Sequence, residues 1–404
     1  SKIKKQNKEE IDNKKILEEF KLSFKKYRSG WIENPKKFYN NEALPITDPL
    51  CLDIESAAIC DLACPHCHRE HILTPDKIMD FSLYKKIIDS AVKLKVPSIK
   101  LNWRGEPLLN PKLEEFIKYA KENGILEVSI NTNATQLTKA RSKSLIEAGL
   151  DLIIYSFDGG TKETYEKYRP SRFKKNKFEK VYENIKNFKI TKDEMKKKFP
   201  VSKIQMTLMK DTRNEVQEFF NLFNDIVDDV AVQQYTERGG NIEPIKDDNK
   251  SKIEKYINKN NLSKDTPYSV EADGNIYIAI GRKPCEQLLQ RLMITYDGRV
   301  GMCCHDWGAQ HCLGYIDKLA FNIEKTIDDL EKKIINNKKG FELLKNAKKQ
   351  NIYNDPEKKV QTIEEIWKGK QLNKVRNLHK QKLLNNVEIC KKCDYKNTYE
   401  WQKI

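Results

Sequence analysis

From residue 52 to residue 234, short apolar runs alternate with amphipathic stretches six times, and no other feature so narrows the folds open to this chain. The runs at 52–56, 98–103, 127–131, 152–157, 203–209 and 229–234 have the length of buried strands. Between them, 83–94, 113–123, 140–148, 178–188 and 215–224 carry apolar residues at helical spacing. Gly124 and Gly149 stand where two of these helices end, as glycines often do. Regular strand–helix repeats of this kind build a parallel sheet with helical crossovers, because parallel strands need long connections and helices supply them. The expected fold class is α/β, with a partial (β/α)6 barrel. Ligands of such folds gather at the C-terminal ends of the strands. Cys60, the run Arg104-Gly105-Glu106-Pro107, the run Asn131-Thr132-Asn133, and Ser156 with Asp158 follow successive strands and so share one rim.

The flanks differ. Residues 1–45 are Lys-rich, with Ile16, Leu17, Phe20 and Phe24 at helical spacing, and are expected to form a helical extension packed on the main domain at 46–240. A connector with one hairpin is expected at 241–284, across Asp273-Gly274, and a second hairpin across Asp297-Gly298, since Asp-Gly between apolar runs favours tight turns. The last domain is expected at 285–404. Within it 318–360 reads as a solvated helical insertion, with Ile327, Leu330, Ile334 and Ile335 at helical spacing.

Charge excludes less than its size suggests. The net charge is +16, yet the lysines are interleaved with Glu and Asp along all 404 residues, as on solvated helix faces. An anionic or sugar-like small molecule suits the sign, and no nucleic-acid substrate is expected. No run approaches the ~20 apolar residues of a membrane span, and the N-terminal residues lack the apolar core of a signal peptide. The expected location is cytoplasmic, with no membrane partner.

Ten cysteines in a reducing compartment point to metal rather than disulfides, all the more because nine are grouped. Cys60, Cys64 and Cys67 occupy one loop; Cys285, Cys303, Cys304 and Cys312 form a second group, and Cys390 and Cys393 a third. Only Cys51 stands apart, and it reads as a small buried residue. Three thiolates can bind three irons of a [4Fe–4S] cluster and leave the fourth open to a chelating small molecule. Zinc is the competing occupant, with His66 or His68 as a fourth ligand.

The Cys-x3-Cys-x2-Cys loop after the first strand resembles the radical S-adenosylmethionine (SAM) superfamily over about residues 50–240. The resemblance implies SAM chelated to the open iron, reductive cleavage to a 5′-deoxyadenosyl radical, and removal of a substrate hydrogen. His66 holds the position before the last cysteine, where the family usually has an aromatic residue. Arg104-Gly105-Glu106-Pro107 resembles the family's Gly-Gly-Glu-Pro segment, which implies that Glu106 receives the SAM amino group. Ser156 and Asp158 lie in a segment similar to one near the SAM ribose. Asn133 matches a frequent active-site asparagine, and Arg169 a residue that pairs with the SAM carboxylate.

Twelve residues separate Cys285 from Gly298 and four separate Gly298 from Cys303, with Cys390 and Cys393 downstream. This resembles the shortened SPASM domain, or twitch domain, and implies an auxiliary [4Fe–4S] cluster fully ligated by Cys285, Cys303, Cys390 and Cys393. A zinc ribbon is the alternative. Cys304 or Cys312 is a candidate hydrogen donor or else a buried structural thiol, while Tyr235 and Arg238 are candidates to contact substrate. The expected activity is that of an oxidoreductase turning an alcohol of a sugar- or polyol-like molecule into a ketone. Epimerisation and peptide maturation are the rivals, and a zinc-containing RNA-binding protein lies further off. A flavodoxin- or ferredoxin-type reductant is the expected partner.

Overall fold

The computed structural model describes residues 2–40, 42, 47–70, 75–173, 175–235, 250–263, 266–306, 308–322, 357–391 and 393–404. Arg238 and the insertion positions Ile327, Leu330, Ile334 and Ile335 lie outside the described residues.

Six strands run parallel in chain order: β1 (Cys51–Ile54), β2 (Ser98–Lys100), β3 (Glu127–Thr132), β4 (Leu152–Ser156), β5 (Val201–Leu208) and β6 (Asp229–Gln234). The crossovers are α2 (Phe81–Lys93), α3 (Leu113–Glu122), α4 (Lys139–Glu147), α5 (Lys162–Tyr168) with α6 (Phe178–Glu194), and α7 (Val216–Phe223). Strand side chains alternate between faces. Leu52, Ile54, Ile99, Leu101, Val128, Ile130, Ile153, Ile204 and Met206 are buried in one core with Ile87, Phe116, Leu145, Phe188 and Phe219 of the helices. Several of the alternate positions are polar, among them Asp53, Lys100, Asn131 and Thr207. A helix-covered outside and a polar inside suit a barrel that holds a polar ligand.

The sheet does not end at β1. The second Asp-Gly hairpin, β9 (Arg291–Ile294) and β10 (Arg299–Gly301), joins it because β9 pairs in parallel with β1, Cys51 opposite Arg291 through Ile54 opposite Ile294. With β11 (Cys312–Tyr315) the order is β11-β10-β9-β1-β2-β3-β4-β5-β6, nine strands in all. A separate antiparallel sheet, β12-β8-β7, contains the first Asp-Gly hairpin, β7 (Tyr268–Val270) and β8 (Ile276–Arg282), closed by β12 (Tyr399–Lys403). Helix α8 (Lys250–Lys259) precedes β7, and helices α9 (Ile363–Trp367), α10 (Lys370–Lys380) and α11 (Glu388–Lys391) complete the C-terminal part.

The N-terminal helix α1 (Lys2–Tyr39) is much longer than the amphipathic pattern suggests, and it docks differently. Phe20 is 41% exposed, so it does not carry the contact. Docking instead uses Tyr27, whose hydroxyl donates to Glu127 at 3.2 Å, and Trp31, whose ring lies 4.7 Å from the Arg291 guanidinium. Glu127 and Arg291 open their strands, so α1 covers the N-terminal end of the barrel, opposite the rim. Among the described residues no helix is long and apolar enough to cross a membrane.

Candidate active site

The loop after β1 is held by its neighbours' backbone as much as by side chains. Gly105 has φ +70°, and a Cβ there would lie 2.3 Å from the carbonyl oxygen of Ala57 and 2.7 Å from that of Ile59. Only glycine permits both that conformation and that approach. The next N–H, of Glu106, donates to Ile59 at 2.8 Å, one residue before Cys60. The Arg104-Gly105-Glu106-Pro107 turn is therefore laid directly on the strand exit that leads to the three thiols.

Glu106 is 2% exposed and its carboxylate is well used. Oε1 accepts from the Leu108 N–H at 3.0 Å and the Thr132 hydroxyl at 2.6 Å, and Oε2 from the Asn133 N–H at 2.7 Å. Burial pushes its carboxyl up to about 7 against those donors. Asn133 gives its amide to Asp61 at 2.8 Å, and Thr135 its hydroxyl to the same carboxylate at 2.5 Å. Asp61 lies between Cys60 and Cys64, so the end of β3 grips the cysteine loop from within.

Arg104 is not a spare cation. Its Nε and Nη2 reach Glu55 Oε1 and Oε2 at 2.6 and 2.8 Å, a fully buried bidentate pair, and Glu55 Oε2 also accepts the Tyr296 N–H at 3.1 Å. One carboxylate thus joins the ends of β1, β2 and β9.

Asp158 makes its contacts within the protein. It is completely buried behind the cleft, where its carboxylate takes Arg169 Nε at 2.7 Å, His66 Nε2 at 3.0 Å and the Thr207 N–H at 2.8 Å. Burial alone would raise its carboxyl, but Arg169 and His66 hold it well below the usual carboxylate range. Asp158 thereby orients the two residues expected to meet cofactor.

A cleft of ≈ 250 Å³ opens over this frame, lined by Cys60, Cys64, His66, Cys67, Trp103, Glu106, Asn133, Ser156 and Arg169. Its far wall is polar: Lys100, Asn102, Asn131, Thr207, Gln233, Gln234 and Tyr235. His66 Nδ1 and Asn131 Oδ1 are buried without a hydrogen-bond partner among the described residues. Buried polar atoms of this kind ordinarily have partners, and a polar ligand in the cleft would supply them.

A second cavity is enclosed by Cys285, Cys303, Cys390 and Cys393, with Arg282, His305, His379 and Tyr395. The four thiols come from the chain before β9, the end of β10, α11 and the turn beyond it, a span that only folding can close. Burial raises every one of these four thiols, so holding them as thiolates needs a compensating metal charge. His305 Nδ1 is buried there without a partner among the described residues. Among the described residues no three His, Cys, Asp or Glu groups converge on a point suited to a single metal ion.

Cys304 and Cys312 separate. Cys312 is fully buried with Tyr315 and Ala320 and lines neither cavity. Cys304 lies between the two: with Cys67 it packs on Trp103, Met293 and Ala309, its Sγ is 2.9 Å from Gln287 Oε1, and its carbonyl accepts from Trp103 Nε1 at 3.3 Å. Sequence reasoning passed over Glu55, Asp61, Trp103 and His379. A signal existed for the first, an acid just past a strand and level with an arginine past the next. The others acquire their roles only through contacts distant in the chain.

Residues 54–223 match the family model of the Radical SAM superfamily. A tungsten-containing aldehyde ferredoxin oxidoreductase cofactor-modifying protein of Pyrococcus furiosus is 34% identical over 110 residues, 26% of this chain and only 30% of that relative. A probable GTP 3′,8-cyclase of Methanocaldococcus jannaschii is 27% identical over 256 residues, 60% of this chain and 81% of the relative. The solved structure of anSMEcpe with bound AdoMet and Cp18Cys peptide shares the fold, with a TM-score of 0.51 and 15% identity over 86% of this chain and 88% of that one.

Proposed function

From the match of residues 54–223 to the Radical SAM superfamily model, we propose that the chain is a two-cluster radical SAM enzyme that oxidises an alcohol carbon of a small, polar, sugar- or polyol-like substrate. The observation that carries this reading is the gathering of Cys285, Cys303, Cys390 and Cys393 around one cavity, separate from the cleft of Cys60, Cys64 and Cys67. Three thiols leave one iron of a cubane open, whereas four close it.

When bound, a cluster with SAM at the first site would supply hydrogen-abstracting radical chemistry, and a cluster at the second site would supply a one-electron acceptor. Cys60, Cys64 and Cys67 would hold the one, and Cys285, Cys303, Cys390 and Cys393 the other. Glu106 and Asn133 hold the loop and line the cleft, where they would receive the SAM ammonium. Asp158 keeps Arg169 and His66 turned inward. The amides of Asn102, Asn131, Gln233 and Gln234, with Lys100, offer hydrogen bonds to a hydroxylated substrate, and its hydroxyl proton leaves along this polar wall. One hydrogen atom, one proton and one electron depart, and the product is a ketone.

The experiment is incubation of reduced, reconstituted enzyme and SAM with substrates deuterated at each carbinol carbon. Deuterium in 5′-deoxyadenosine, with a product two mass units lighter than the unlabelled substrate, is the expected result. In a parallel run with unlabelled substrate in deuterium oxide, an unoxidised product carrying one solvent deuterium would replace this reading by epimerisation, with Cys304 as donor. A second reading is favoured by the names of the curated relatives: ring closure on a purine nucleoside triphosphate. It predicts consumption of GTP without loss of mass.

A further inference from the structure

His379 lies on α10 and is 1% exposed. Its Nδ1 accepts the backbone N–H of Cys285 at 3.1 Å. A ring nitrogen that accepts carries no proton, so in the neutral imidazole the proton sits on Nε2. Nε2 faces Cys390 Sγ at 3.3 Å. One ring therefore spans two of the four thiol positions, holding the backbone of one and the sulfur of the other. The helix behind it is fixed: Arg376 donates to Leu288 at 2.9 Å and to Trp367 at 2.7 Å, its guanidinium 4.1 Å from the Trp367 ring. From the opposite side Arg282 donates to the Cys390 carbonyl at 3.0 Å.

We propose that His379 is a positioning residue of the second centre, whose Nε2–H donates to the Cys390 thiolate and raises the reduction potential of the cluster held there. This rests on the four-thiol reading given above. Reduction adds negative charge that spreads onto the sulfurs, so a donor to sulfur stabilises the reduced state more than the oxidised one. The Tyr395 N–H makes a similar contact to Cys393 Sγ at 3.4 Å, but from the backbone, which no side-chain change removes. His379 is the adjustable member of the pair. A cluster that is easier to reduce is a better acceptor for the electron left on an oxidised substrate.

The test uses the full chain with Cys60, Cys64 and Cys67 replaced by Ala, so that the second centre supplies all the reducible iron. About four irons per chain establish the centre; no iron overturns the four-thiol reading and this proposal with it. Redox titration followed by electron paramagnetic resonance then gives the potential. His379→Leu is expected to keep its iron and to lower the reduced-to-oxidised ratio on the order of tenfold at a fixed ambient potential, about 59 mV for one electron. His379→Gln retains an N–H donor and is expected to recover most of that shift. Equal potentials for His379 and His379→Leu overturn the proposal. Should His379→Leu lose its iron, His379→Gln decides: iron retained at a near-native potential supports the donor role. Iron lost from both variants overturns it, since the ring is then a ligand or a strut.

Discussion

The two thiol sites are built on opposite principles. Cys60, Cys64 and Cys67 lie within eight residues of one loop, and the fold's task there is to press that loop into shape. Cys285, Cys303, Cys390 and Cys393 span more than a hundred residues and meet only after a hairpin, α10 and α11 have packed. In the first site the ligands exist before the fold and the frame makes them selective. In the second the fold makes the ligand set, so metal binding there is also folding free energy.

The sharpest way to break this contrast is to remove the local thiols. Replacing Cys60, Cys64 and Cys67 by Ala should abolish SAM cleavage and halve the iron, from about eight to about four per chain. Thermal unfolding should hardly change; a collapse of the second site's iron would show that the two are not independent. Next in size is Arg104→Ala, which strands a buried Glu55 carboxylate. A loss of roughly 3–5 kcal/mol in urea unfolding is expected, and because Glu55 also holds the β9 hairpin, both sites should loosen.

Asp158→Asn should cost less, about 1–3 kcal/mol for a buried charged partner, and its effect should depend on pH. The folded carboxyl titrates below its unfolded value of about 3.9. Its contribution is therefore fully present above that value and is lost as pH falls through the lower, folded one. The gap between the native and Asp158→Asn proteins in urea titrations should be widest near neutrality and should close in strong acid. A gap independent of pH would mean that Asp158 acts through packing alone. The smallest effect belongs to Thr362→Ala, which removes the capping box of α9 and should cost about 1 kcal/mol. It should speed chelator removal of the second site's iron while leaving the first site's unchanged.

The same contrast governs what could be read without coordinates. The strand–helix alternation placed all six parallel strands, because each buries a period-2 apolar face beside its own helix. The three-thiol loop was legible because its ligands are neighbours. The pairing of β9 with β1 was not, since nothing in Leu292–Ile294 marks a partner 240 residues earlier. Nor was the docking of α1 through Tyr27 and Trp31, two aromatic residues downstream of the apolar pattern. Asp158 was legible as a site residue but its partners Arg169, His66 and Thr207 were not, because a motif says which side chain matters and not which way it turns. His379 gave no signal at all: one ring nitrogen's partner is a backbone amide, which every residue but proline possesses.

The contact at Gly105 has a further consequence. Peptide groups meet there with no side chain between them, so the Glu106 backbone is set against the thiol loop by direct backbone contact, and its carboxylate is then held by Leu108, Thr132 and Asn133. Thermal motion can carry the two pieces together but can scarcely alter their separation. A chelated molecule spanning both would meet a gauge of fixed width, whatever the substrate wall beyond it does.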